Sequence, residues 1–249
     1  MDKDNRLTIG EHLAELRGRL FASVIALVVT TTASFFFAPW VFHILKSRAG
    51  EVQLIRTQVT EMIGAYMKVS LIAGVVLAMP FILYQLIMFI APALTSQEKR
   101  YLYILLPAAL LSFLGGATFA YFILLPPALH FLLSFGKDIA QPLIKVGDYV
   151  NVVVSLTFWI GLIFETPLVI FFLARIGVVN SAMLSRFRRY MIVVAFLLSA
   201  IITPTFDPVN QTIVAVPIIV LYELGIWLAK LAQARRRKVM RPLPQPAHD

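Results

Sequence analysis

Ala91-Pro-Ala-Leu-Thr-Ser-Gln-Glu-Lys-Arg100 is a polar segment set between two apolar runs, Val69–Ile90 and Tyr101–Leu125. Each run has the ~20 residues a helix needs to cross about 30 Å of hydrocarbon. A backbone immersed in lipid must satisfy its own N–H and C=O groups, so such runs are read as helices. The segment between them is then a hairpin loop at one membrane face, carrying Glu98 beside Lys99 and Arg100.

Composition says the same of the whole chain. Of 249 residues, 59% are hydrophobic and 14% charged, against about 45–50% and about 25% for soluble domains. One soluble core of this size cannot hide that excess, so a soluble enzyme is excluded and the class is an all-α membrane protein. Cysteine is absent, and His12, His43, His130 and His248 are scattered without metal-ligand spacing. No disulfide, metal site, cofactor or nucleotide loop is expected. The net charge of +9 marks cytoplasmic ends of spans rather than a nucleic-acid surface.

Working outward from the loop, six spans are predicted, at about 20–44, 69–90, 101–125, 149–174, 190–203 and 211–229. Before the first, Ile9, Leu13, Leu16 and Leu20 share a helical face opposite Glu11, His12, Glu15 and Arg19. That pattern predicts an amphipathic helix at the membrane surface. The amino terminus lacks the short apolar core and cleavage site of a secretory signal, so the first run is expected to be permanent. Phe35-Phe36-Phe37 and Trp40 form an aromatic belt at its far end. Residues 45–68 predict one or two amphipathic helices folded over the outer surface. Pro126-Pro127 is expected to end the third span, and a second outer segment runs to about Asp148. Span five offers about 14 residues, roughly 21 Å at ~1.5 Å per residue, short for a bilayer. The whole reads as one membrane domain, 1–230, with a basic, disordered tail at 231–249.

Six spans place both termini on one side. That side carries 16 Lys and Arg and the other side 6, so the termini are predicted to be cytoplasmic.

Several residues stand out, each with an ordinary explanation beside it. Thr95-x-x-Glu98 fits a capping box opening the third span. Glu15 and Arg19 are four apart with the acid first, a favourable helical pair. Glu165 lies in an apolar run beside Pro167; a carboxylate at membrane depth is a functional candidate, or else a protonated acid bonding a neighbouring helix. Asp207 sits in Pro-Thr-Phe-Asp-Pro, where a turn is the plain account. Pro80, Pro107, Pro167 and Pro217 predict kinked helices.

Taken together, His12-Leu-Ala-Glu-Leu-Arg17, Pro80-Phe-Ile-Leu-Tyr-Gln85, Phe89-Ile-Ala-Pro-Ala-Leu94 with Glu98-Lys-Arg100, Phe164-Glu-Thr-Pro167, Thr203-Pro204 with Asp207-Pro208, and Tyr222-Glu223 resemble the TatC family, the large integral subunit of the twin-arginine protein translocase. The pieces appear in family order and span all but the tail. The resemblance implies a curved, glove-like six-helix protein with two short last spans and an outer helical cap. It implies a non-enzymatic receptor for Arg-Arg signal peptides in a bacterial inner membrane, serving export of folded proteins driven by the proton gradient. Glu15 and Glu98, with His12 and Arg17 beside them, match the signal-binding positions; Glu165 and Pro167 match the intramembrane site; Pro80, Phe89, Asp207 and Glu223 match further family positions. The implied partners are single-span TatA- and TatB-type proteins in a multi-copy complex, cargo signal peptides and lipid, with no nucleic acid.

The chemistry agrees, since a guanidinium is a planar fork that a carboxylate accepts bidentately, whereas lysine keeps only the charge. Two other readings compete. A proton-coupled small-solute transporter would use Glu165 as carrier, and a ligand-free scaffold would leave the acids on a basic face without a task.

Overall fold

In the computed structural model the described backbone covers residues 9–46, 54–90, 96–136, 138–139, 143–203 and 207–239. Within it, the side chains of residues 9, 11–12, 46, 90, 96–103 and 235–239 are outside the description. Nine α-helices carry the described chain: α1 Ile9–Lys46, α2 Glu61–Ile90, α3 Ser96–Phe119, α4 Leu125–Ser134, α5 Val146–Ile163, α6 Thr166–Ile176, α7 Ser181–Arg186, α8 Arg188–Ile202 and α9 Pro208–Val239. Two short strands, β1 Leu54–Ile55 and β2 Ile144–Lys145, pair in parallel. Five helical stretches are long and apolar enough to span a membrane: Leu13–Leu45, Glu61–Phe89, Ile104–Ser134, Val146–Ile176 and Pro208–Ala234. The segment expected as a short span near 190–203 forms helix α8, with 15 residues, or roughly 22 Å at ~1.5 Å per residue, and is not one of those five stretches.

The chain divides into two compact units. The first comprises Met1–Leu110 and Gly136–Ser155. Its frame is the antiparallel hairpin α1–α2. Arg19 Nη1 donates to Gln85 Oε1 at 3.2 Å, Thr30 Oγ1 donates to the Gly74 carbonyl at 2.8 Å, and Phe42 stacks on Tyr66 with centroids 4.5 Å apart. Gly74 makes the middle crossing possible, since a Cβ there would stand 2.3 Å from Thr31 Oγ1. Small residues allow such close approach, and lipid supplies no competing donor. At the far end Glu61 accepts from the backbone N–H groups of Thr57 and of Gly147, both at 2.9 Å. Tyr149 Oη donates to the Leu45 carbonyl at 2.8 Å. These bonds tie the starts of α2 and α5 to the end of α1.

The second unit comprises Leu111–Phe135 and Leu156–Asp249. Its core packs Ile170 and Ala174 of α6 against Tyr222, Ile226, Ala229 and Ala232 of α9. Gly225 gives α6 its approach, since a Cβ there would meet Ile170 Cδ1 at 2.6 Å.

Four expectations need correction. The amphipathic segment and first span form one uninterrupted helix, α1, because no proline precedes Pro39 and the Glu15–Arg19 pair bridges the junction. Among the described residues of 45–68 there are no separate amphipathic helices. Ile63 and Tyr66 belong instead to the first turns of α2, which begins eight residues before the apolar run. Pro126-Pro127 does not end the third span. A π turn at Ala120–Leu124 shifts the register, Leu125 N–H bonds to the Ala120 carbonyl, and both prolines enter the first turn of α4, where a missing donor costs nothing. Finally, α9 continues to Val239, so the first nine residues assigned to a disordered tail are helical; 240–249 lie outside the described residues.

Candidate functional site

Glu15 stands on the amino-terminal third of α1, half-buried. Arg19 holds its Oε1 from one turn away, through Nη2 at 2.5 Å and Nε at 2.9 Å. Arg19 also reaches Gln85 near the end of α2, so Glu15 is positioned by an arginine anchored on a second helix. Since α1 and α2 run antiparallel with Arg19 beside Gln85, Glu15 lies level with Phe89, in the last turn of α2. The segment carrying Glu98 follows directly. Glu98 sits in the first turn of α3, which begins at Ser96, where a capping box opened by Thr95 needs it. Its side chain and that of His12 lie outside the described residues, as does Thr95. Arg17 is exposed, with its guanidinium 5.7 Å from the Phe21 ring centroid. Pro80 and Phe89 are partly buried within α2.

Glu165 occupies the break between α5 and α6. Pro167, at N1/N2 of α6, brings no N–H to the Ile163 carbonyl four residues back. The next carbonyl, of Phe164, accepts from α3, Ser112 Oγ at 2.7 Å. Gly116 of α3 lets the Phe164 ring in, since a Cβ there would stand 2.6 Å from Cγ. The Phe119 ring packs behind it, centroids 5.4 Å apart. Glu165 itself is 8% exposed, and its Oε1 has no hydrogen-bond partner. A buried, unsatisfied carboxyl oxygen is costly and calls for an incoming donor or a proton.

Asp207 caps α9. Its Oδ1 accepts from Asn210 N at 2.7 Å and its Oδ2 from Asn210 Nδ2 at 2.9 Å, a helix cap where the sequence suggested a turn. Glu223 pairs with Arg188 at 2.8 Å, both partly exposed, while Tyr222 Oη donates to the Leu184 carbonyl at 2.9 Å. Thus Tyr222-Glu223 fastens α9 to α7 and α8. Sequence reading had missed Arg188 and Gln85 as partners: each contact joins residues far apart in the chain, and no periodicity links them. Among the described residues no group of three His, Asp or Glu could hold a metal.

A family model described as TatC, Sec-independent protein translocase protein, matches residues 11–217. The Sec-independent protein translocase protein TatC of Aquifex aeolicus is 42% identical over 94% of this chain and 100% of its own length. TatC of Carboxydothermus hydrogenoformans is 33% identical, over 94% and 97%, and TatCy of Bacillus subtilis 33%, over 95% and 94%. Among solved structures, a crystal structure of the twin arginine translocase receptor TatC superposes with TM-score 0.82 and 44% identity, covering 90% of this chain and 100% of that one.

Proposed function

The chain belongs to the TatC family and is a twin-arginine translocase receptor subunit, and from that premise we propose that Glu15 and Glu98 jointly accept the two guanidinium groups of the export signal. The observation that carries this reading is the register of the α1–α2 hairpin. It sets Glu15 level with the end of α2, after which α3 begins within six residues and carries Glu98 in its first turn. Two carboxylates at one face match two adjacent guanidinium forks. The basic residues around them repel generic cationic segments and so favour the partner that fills both acceptors.

The chain is a multi-pass membrane protein and a member of a Tat complex. The 16-to-6 distribution of basic residues supports cytoplasmic termini, with α8 as a short further span, and the TatC relatives from bacteria support placement in a bacterial inner membrane. The other members are single-span TatA- and TatB-type proteins. Glu165, buried at a helix break with an oxygen unsatisfied, is the intramembrane contact for a polar group on an entering helix.

The test is binding of an Arg-Arg signal peptide and its Lys-Lys variant to the full chain in nanodiscs. The Lys-Lys peptide is expected to bind about tenfold to a hundredfold more weakly, as loss of bidentate charge-assisted bonds implies. Glu15→Ala and Glu98→Ala should each weaken Arg-Arg binding, and together abolish it. Undiminished binding by the double variant would remove both residues from the site.

A further inference from the structure

Lys68 has no task in signal recognition, yet its setting is specific. It stands on α2 at the lip of the apolar run Val69–Ile90, the outer lip in the orientation proposed above. It is half-buried, and its ammonium donates to Asn151 Oδ1 of α5. Asn151 is neutral, and among the described residues no carboxylate lies within 4 Å of Lys68. Glu61, two turns away on the same face of α2, is occupied by backbone N–H groups. A cation held in place at the hydrocarbon edge without a counter-ion attracts an anion.

Beside it runs a groove of about 490 Å³ between α1 and α2. Thr31, Phe35 and Phe36 form one wall, Met67 and Leu71 the other, and Lys68 the charged point of a lining that also holds the hydroxyls of Thr32 and Ser70. Phe35, Phe36 and Trp40 form the aromatic belt that marks the headgroup level. An apolar channel with one fixed cation at that level has the chemistry of a phospholipid seat: acyl chain along the groove, phosphate on the ammonium.

We propose that the α1–α2 groove and Lys68 bind one anionic phospholipid of the outer leaflet. A single fixed ammonium with an uncompensated charge favours a headgroup of net negative charge over a zwitterionic one, whose own cation would compete.

The test is native mass spectrometry of the full chain in detergent, titrated with phosphatidylglycerol, phosphatidylcholine or inorganic phosphate. One phosphatidylglycerol is expected to be retained, with phosphatidylcholine held about tenfold more weakly and phosphate not at all. Lys68→Gln should weaken phosphatidylglycerol by about tenfold and erase the preference, whereas Lys68→Arg keeps it. Leu71→Trp, which fills the groove and leaves the cation, should also lower retention. Arg56→Gln, an outer cation away from the groove, should change nothing. Equal retention of the two lipids by the parent chain overturns the proposal. So does undiminished phosphatidylglycerol binding in both Lys68→Gln and Leu71→Trp, and so does binding of phosphate alone.

Discussion

Glycines 115 and 116 are neighbours in α3 with opposite surroundings. Nothing lies within 4 Å of a Cβ built on Gly115, while one on Gly116 would stand 2.6–2.8 Å from three atoms of Phe164. Phe164 cannot retreat easily, being the residue at the α5–α6 break and packed on Phe119. Gly116→Ala is therefore expected to destabilise by about 1–3 kcal/mol through overpacking. Gly115→Ala should instead be neutral or stabilise by up to about 1 kcal/mol, by reducing backbone freedom. Thermal midpoints of the two variants in one detergent decide this; equal midpoints would mean that Phe164 finds another seat. In sequence the two residues form an undifferentiated Gly-Gly in mid-span. Only the approach of Phe164 separates them.

At the scale of elements, proline alone did not decide what the backbone does at it. Pro167 breaks a span into α5 and α6, while Pro126-Pro127 stands at the start of a helix that continues the third. Pro39, Pro80, Pro107 and Pro217 lie inside helices. The outcome depends on whether another group takes up the freed carbonyls, and in lipid that group comes from the protein itself. At the α5–α6 break Ser112 serves the Phe164 carbonyl. Ser112→Ala should cost about 0.6–1.7 kcal/mol, the range of hydrogen bonds between membrane helices, read as a shift in denaturation midpoint in mixed micelles. A larger loss would mean that the serine holds the break open rather than satisfying it. The unforeseen length of α2 has the same origin. Residues 61–68 are polar enough to read as a connection, yet Glu61, bonded to Thr57 and Gly147 N–H groups, starts the helix there.

For the whole molecule, the decisive property is which side each end of a span faces. The chain contains no cysteine, so a single introduced thiol reports its own position. Ile139 is 92% exposed between the third and fourth spans, and Met183 is 47% exposed in α7. With the basic side inward, Ile139→Cys should react with a membrane-impermeant thiol reagent added to spheroplasts, and Met183→Cys only in inverted vesicles. The reverse pattern would invert the orientation and move Glu15 and Glu98 away from cytoplasmic signals.

Sequence alone determined the class, the approximate positions of the spans, the shortness of α8 and the residues worth attention, because lipid is a solvent that reads composition and run length directly. It also determined the family, through ordered motifs from His12 to Glu223. Tertiary structure decided the anchoring of Arg19 on Gln85, the opening of the α5–α6 break by Ser112 and Gly116, the Arg188–Glu223 pair and the seat of Lys68 against Asn151. Each of these depends on which helix faces which, in what register. Runs of apolar residues carry almost no record of that, since lipid and a neighbouring helix are nearly equivalent surroundings for the same side chain.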